Sequence, residues 1–291
     1  LGETSIPWGG LVDAHNHVWI SPVFGAMPGS PSLTHYQPIL KELQDFYTIG
    51  GRGIIDCQPG GCGRDVRHLV ALSRQSGVHI VCCTGFHRKR YYPPTSPIWA
   101  QGATTLAEIF IHEIQIGTIE SIPDVSPIRA GVIKVAVEAC LQETPQKPLE
   151  AAAIAAIQTQ TAIEIHTEKG ADAETILEYF FKQGVNPNKL ILCHMDKRPD
   201  FKLHQELAMA GVLLEYDTFY RPQYNPKHNL WPLLERMIKS NLFSSVALAT
   251  DMADVTLWNS MGKGPGLPGF SSCIQAPLEK AGISQGVIQQ L

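Results

Sequence analysis

Six side chains spread along the chain are of the types that hold metal ions or move protons: His15, His17, Lys134, His166, His194 and Asp251. His15 and His17 stand two residues apart in Asp13-Ala14-His15-Asn16-His17. On an extended backbone alternate side chains share a face, so this pair projects together and can grip one cation. A single His-X-His pair is common in ordinary cores. It gains weight because each of the other four residues lies in, or just past the end of, its own apolar run. Four imidazoles and a carboxylate suit zinc or another borderline divalent ion.

Lys134 is the odd member, alone among apolar neighbours in Val132-Ile133-Lys134-Val135-Ala136-Val137. A lone ammonium there is costly unless it is neutralised or paired. One reading is a lysine that snorkels out at a strand end. The other is a neutral amine that takes up carbon dioxide to become N6-carboxylysine, an anion able to bridge two metals and offset the burial.

The elements that must position these groups follow from the apolar pattern. Short runs near 11–12, 53–57, 78–84, 132–137, 162–165, 190–193, 212–216 and 246–249 read as strands. Helical spacing over 36–47, 64–75, 104–116, 149–159, 173–183, 201–210, 231–239 and 274–281 alternates with them, and Gly184 and Gly211 act as helix stops. Such alternation implies a parallel sheet, and eight units in about 250 residues is the size of a closed (β/α)8 barrel. No linker or repeat divides the chain, so 1–291 is expected to form a single barrel domain. An open doubly wound sheet is the rival, yet no G-x-G-x-x-G follows the first strand. Barrel enzymes build their sites at the C-terminal ends of the strands. His15 and His17 then come from strand 1, Lys134 from strand 4, His166 from strand 5, His194 from strand 6 and Asp251 from strand 8.

Charged residues are 17% of the chain and the formal net charge is −4, so no basic surplus exists to hold nucleic acid. No apolar run approaches the roughly 20 residues that span a bilayer, and no N-terminal signal pattern is read, so a cytoplasmic protein without a membrane partner is expected. The seven cysteines form no paired C-x-x-C pattern and read as free thiols, with a Cys57–Cys62 bridge the less favoured alternative.

The sequence resembles the phosphotriesterase family of the amidohydrolase superfamily, which includes phosphotriesterase-like lactonases and phosphotriesterase homology proteins. The resemblance rests on Asp13-Ala14-His15-Asn16-His17, Gly63-Arg64-Asp65-Val66, Val78-His79-Ile80-Val81 with Thr84-Gly85, Lys134, Ile165-His166-Thr167, Cys193-His194-Met195-Asp196, Tyr216-Asp217-Thr218 and Thr250-Asp251. It implies two divalent metals, zinc with manganese, cobalt or iron as alternatives. His15, His17 and Asp251 would hold the more buried ion, and His166 with His194 the more exposed one. Carboxylated Lys134 and a hydroxide would bridge them, and Asp251 would also accept a proton during attack. Homodimers are common in the family, so a homodimer is one expectation here.

Departures from the family bear on substrate. Where relatives often carry a tyrosine shortly after the Thr-Gly of strand 3, this chain has His87, with Tyr91 and Tyr92 further on. Arg88-Lys89-Arg90, Lys197, Arg198 and Arg221 are either solvated charges or anchors for a phosphate or carboxylate. Trp258, in the glycine-rich loop 252–270, suggests a lid, with loop 85–103 the other segment that could close. Arg64 and Asp65 read as an ion pair at a helix start. His87, Arg88, Tyr91, Lys197, Arg221 and Trp258 are thus the expected substrate contacts. The expected activity is hydrolysis of an ester-like bond in a small molecule, foremost a lactone, with a sugar or phosphorylated sugar lactone as the modest favourite and phosphotriester cleavage as a side reaction. The alternatives are a hydrolase of cyclic amides or other C–N bonds, and a non-catalytic barrel that keeps its metal for binding. A barrel nuclease of TatD type is disfavoured by Lys134 and the negative charge.

Overall fold

Short apolar strands alternating with amphipathic helices can bury both faces of a sheet only if the strands run parallel. The computed structural model, which describes residues 10–120 and 127–291, has this arrangement. Its eight strands are β1 (Leu11–Asn16), β2 (Gly51–Asp56), β3 (His79–Gly85), β4 (Val132–Ala136), β5 (Ile163–His166), β6 (Leu190–Cys193), β7 (Leu213–Tyr216) and β8 (Val246–Leu248). They pair in sequence order from β1 to β8, as in a (β/α)8 barrel that is nearly closed. No helix among the described residues is long and apolar enough to cross a membrane.

The last seam, β8 against β1, is closed by side chains more than by a ladder. The buried Asp13 carboxylate accepts the Thr250 N–H at 3.0 Å, the Thr250 hydroxyl at 2.5 Å and the Asn16 amide at 2.7 Å. The Asp251 N–H then donates to the His15 carbonyl at 2.9 Å. These partners explain why β1 runs to Asn16, well past the apolar pair at 11–12. Its polar residues are satisfied across the seam, which hydrophobic periodicity cannot register.

Two local features aim the strand ends. Gly85 ends β3 at φ +103°, and a Cβ there would lie 1.9 Å from the Lys134 carbonyl oxygen, so only glycine fits against β4. His194 and Asp251, the first residues past β6 and near the end of β8, take left-handed backbone angles of φ 65° and 46°. Non-glycine residues hold such angles at a cost of about 1–2 kcal/mol, and such strain clusters at functional sites.

Other expectations need correction. The last helix does not start at 274. A wide π-type turn, Phe270–Gln275, leads into Ala276–Lys280. Asp65 does cap a helix, accepting the Arg67 and His68 N–H groups of Val66–Ser76. Arg64, however, turns away into the interior, with Glu113 at 2.5 Å and Glu120 at 2.7 Å. All seven cysteines are free, and Cys57 and Cys62 remain unbridged.

The loop 252–270 is anchored. Buried Glu42, on helix Tyr36–Thr48, accepts backbone N–H groups from Asn259 at 3.2 Å, Ser260 at 2.8 Å and Leu267 at 3.0 Å. Trp258 is fully buried, donating its Nε1–H to the Met252 carbonyl at 2.8 Å. It is a plug beneath the loop and does not reach the cavity. Replacing Glu42 by Ala leaves three amides without their shared acceptor and should cost about 2–4 kcal/mol. Urea titration measures the loss, and limited proteolysis should newly cut within 252–270. Unchanged stability together with an uncut loop would refute the clamp.

Candidate metal centre and active site

At the C-terminal mouth of the strands, five imidazoles surround one cavity of about 430 Å³: His15, His17, His87, His166 and His194. Asp251, Lys197, Arg221, Tyr91, Gln58 and Cys62 also line it. The rings of His15 and His17 lie 5.5 Å apart, His15 and His194 5.2 Å, and His166 and His194 4.6 Å. His15 Nε2 and His17 Nε2 approach the same Asp251 Oδ1, at 3.7 and 3.6 Å. Ligand atoms of a tetrahedral zinc with bonds of about 2.1 Å sit about 3.4 Å from one another. This trio is therefore spaced as one ion requires. His166 Nδ1 and His194 Nε2 converge as well, but they are hydrogen-bonded to each other at 2.8 Å, closer than two ligands of one ion sit, so this pair would part to hold a cation.

Each ring is oriented through its other nitrogen or its surroundings. His17 Nδ1 meets the Gln58 amide oxygen at 2.8 Å, and His194 Nδ1 is tied to Asp217 by a short hydrogen bond. His15 Nδ1 has two carboxylates beside it, Glu164 at 3.1 Å and Glu215 at 2.9 Å. Such partners fix which nitrogen is left for a cation. Burial is the main force that lowers the basicity of all four, taking His15 down to about 3 and His166 and His194 well below the ordinary histidine value. Neutral imidazoles offer the lone pairs that metals need. Asp251 is the opposite case: burial resists its charge, but Arg221, His15 and His194 hold it well below the usual carboxylate range.

Lys134 is wholly buried. Its Nζ lies 3.0 Å from Glu164 Oε1, 3.5 Å from His15 Nε2 and 3.6 Å from Cys193 Sγ. Burial works against its charge, yet Cys193, Cys57, Glu164 and Glu215 around it raise its pKa above the ordinary lysine value. Burial pushes both thiols up as well, so Glu164 is the anion that matters. Snorkelling is thereby excluded: the amine points into the barrel.

The remaining expected contacts divide. His87, Tyr91, Lys197 and Arg221 line the cavity. Lys197 Nζ is 3.5 Å from Asp217 and lies 5.0 Å from the centre of the Tyr224 ring, while Arg221 Nη2 donates to Asp251 Oδ2 at 2.9 Å. Arg88 turns outward, paired with Glu168 at 2.7 Å and Glu138 at 3.3 Å. These acids, which follow β5 and β4, explain why the basic run does not enter the site. Arg198 pairs with Glu174 at 2.8 Å, away from the cavity.

Glu164, Glu215, Asp217 and Gln58 join the site although sequence reasoning assigned them no role. Glu164 and Glu215 carried a readable signal, since each is a lone charge between apolar strand residues, as Lys134 is. Gln58 carried none.

Asp56, at the end of β2, holds the chain that bears His17. Its carboxylate accepts the Val18 N–H at 2.6 Å and the Gln58 N–H at 3.2 Å.

With this geometry established, sequence comparison decides the family. The model of the phosphotriesterase family matches residues 10–289. The chain belongs to the phosphotriesterase family. Among its relatives is an uncharacterized protein of Mycoplasma pneumoniae, 30% identical over 75% of this chain and 65% of that protein. The chain thus spans a little under two thirds of that relative. A phospho-furanose lactonase of Mycoplasmopsis agalactiae is 27% identical over 78% of this chain and 67% of its own length. Among solved structures, a lactonase from Listeria monocytogenes superposes with a TM-score of 0.87 at 20% identity, covering 98% of this chain and 92% of that one. At that identity the likeness establishes the fold alone.

Burial lifts the Asp56 carboxyl to about 7, above its unfolded value near 4. The fold therefore binds this proton more tightly than the unfolded chain does. The stability it contributes is complete below about pH 4 and is lost as pH rises through about 7. Asp56→Asn should reduce the fall in unfolding free energy between about pH 4 and 8 without abolishing it, because Asp13 and Asp196 are also raised to about 7. Denaturant titrations across that range test this. An unchanged slope would show that Asp56 keeps its unfolded pKa.

Proposed function

We propose that this chain is a metal-dependent hydrolase that opens a lactone, with a phosphorylated sugar lactone as the favoured substrate. What carries this reading is the meeting of His15, His17, His166, His194 and Asp251 around one cavity that also presents Lys197 and Arg221, with Lys134 behind it 3.5 Å from His15 Nε2. The relative named phospho-furanose lactonase supports the same choice.

His15 Nε2, His17 Nε2 and Asp251 would hold the inner ion, and His166 Nδ1 with His194 Nε2 the outer one. Cations among these imidazoles would disfavour an ammonium beside them, so Lys134 would give up its protons to solvent and, as an amine, could add carbon dioxide to become a carbamate ligand. Zinc fits the nitrogen-rich donor set, with manganese, cobalt or iron able to replace it. When bound, the pair makes water nucleophilic at neutral pH and polarises the carbonyl oxygen.

The chain's own groups do the rest. Water adds to the lactone carbonyl carbon and the ring C–O bond breaks. Asp251 takes one proton from that water and returns it to the departing ring oxygen, which leaves as a hydroxyl. The new carboxylic acid loses its proton to solvent. Lys197 and Arg221 face an anionic substituent on the substrate, and Arg221 Nε is buried without a partner among the described residues. Ile20, Val23 and Val255 supply an apolar part of the lining.

A panel of lactones, phosphorylated sugar lactones, an N-acyl amide and paraoxon, assayed with Zn²⁺ or Mn²⁺, tests the reading. Phosphorylated lactones should lead, and Lys197→Ala or Arg221→Ala should cost them roughly tenfold or more in kcat/KM, the effect of losing a charge-assisted contact. Turnover of the amide alone would replace lactone by C–N chemistry, and no turnover with metal still bound would point to a binding protein. Lys134→Ala should lose both activity and part of the bound metal.

His15 depends on its carboxylate neighbours. Glu164 is shared with Lys134 and with the Cys57 thiol at 2.7 Å, whereas neither Glu215 oxygen has a hydrogen-bond partner among the described residues. Glu215 is therefore free to take the His15 Nδ1–H. Glu215→Ala should weaken binding of the inner metal about 10–100-fold by calorimetric titration, with Glu215→Gln recovering part. Wild-type affinity in the Ala variant would remove Glu215 from this role.

A further inference from the structure

His87 stands directly after Phe86 at the end of β3, among the metal-type imidazoles but outside their ligand sets. Its ring centre is 5.6 Å from that of His166 and 6.2 Å from that of His17, so it faces both halves of the centre. Its position is fixed from several sides. The Tyr92 hydroxyl accepts its backbone N–H at 3.0 Å and is within 3.3 Å of the Gly60 carbonyl, while Tyr91 packs edge-on at 4.8 Å.

The decisive contact is at Nδ1. The backbone N–H of Arg88 donates to it at 2.8 Å. A backbone amide can only donate, so Nδ1 carries a lone pair and the proton of this ring sits on Nε2. No acceptor among the described residues takes the Nε2–H, and His87 lines the cavity. A neutral imidazole locked as an N–H donor beside a reacting centre can stabilise developing negative charge without titrating.

We propose that His87 is a further catalytic residue, whose Nε2–H donates a hydrogen bond to the substrate oxygen that gains negative charge as the ester C–O bond breaks. The inference rests on the hydrolase reading above. No proton leaves His87: the one that ends on the departing oxygen comes from the attacking water through Asp251. The contribution is therefore largest for a strongly basic leaving oxygen, as in a lactone. It is small for a weakly basic one, as in a 4-nitrophenyl ester.

The test compares wild type, His87→Phe and His87→Gln in the metal-loaded enzyme, on lactones and on matched 4-nitrophenyl esters. His87→Phe keeps an aromatic ring without the donor, and His87→Gln restores an N–H. The expected result is a loss of roughly 10²-fold in lactone kcat for Phe with KM little changed, a loss below about tenfold on the aryl ester, and partial recovery with Gln. Long-range ¹H–¹⁵N spectra, which need no turnover, should place the His87 proton on Nε2. A proton on Nδ1, equal losses on both ester classes, or wild-type lactone kcat in the Phe variant would overturn the proposal. A wild type that hydrolyses no oxygen ester defeats the lactone reading itself. An active wild type indifferent to His87→Phe defeats only this inference.

Discussion

The seam between the last strand and the first is the constraint on which the site depends. Asp13 gathers Thr250 and Asn16 onto one buried carboxylate, and the adjacent Asp251 amide is hydrogen-bonded to His15. The contacts to Thr250 and Asp251 join residues more than two hundred positions apart. Without them, His15 and His17 on one edge and Asp251 on the other have no reason to share a neighbourhood. The left-handed turn at Asp251 is sustained by the same contacts, because its strain persists only where the surroundings hold the backbone. Barrel closure and the meeting of His15, His17 and Asp251 thus rest on the same contacts.

Beneath the mouth, the barrel interior departs from the usual layers of branched apolar side chains. Lys134, Glu164, Glu215, His15, Cys57 and Cys193 meet there with almost no solvent exposure. Charges in so dry a volume are tolerable only in compensation, so each is defined by its neighbours. Burial works against the charge of Lys134, and Glu164, 3.0 Å from its Nζ, favours it. A purely apolar core could not offset a buried charge in this way.

Much of this was legible in the residues themselves, for reasons that also explain the gaps. β6 could be bounded correctly because its apolar run is flanked by polar turns. β1 could not, because Asp13 and Asn16 look like loop residues until Thr250 is placed opposite them. Lys134 stood out as a charge in an apolar strand. Glu164 and Glu215 carry the same mark, but a carboxylate in an apolar strand points to no particular chemistry until the His15 ring is placed beside it. Arg88 and Trp258 show the converse. Their types suit substrate binding, but Glu138, Glu168 and the Met252 carbonyl satisfy them elsewhere, and such pairings depend on tertiary neighbours that local sequence does not name.

The two rims of the cavity are held with different firmness, and this bears on how the site is shaped around a ligand. On one side Glu42 ties down loop 252–270 at three amides, and Trp258 fills the space beneath it. On the other side the loop after β1 contributes Val23, Ser30 and Pro31 to the lining, while its neighbour Phe24 is fully exposed. That loop is fastened at its base by the Ile20–Leu33 bridge and at its tip by the Met27 amide on the Arg90 carbonyl at 2.9 Å. Fewer buried contacts mean a lower free energy of local opening. The segment able to adjust around a substrate is therefore the loop between Ile20 and Leu33, not the glycine-rich loop whose composition suggests a lid. Glycines such as Gly262 and Gly264 serve close backbone packing instead, since a Cβ at either would meet main-chain atoms at 2.2 or 2.3 Å.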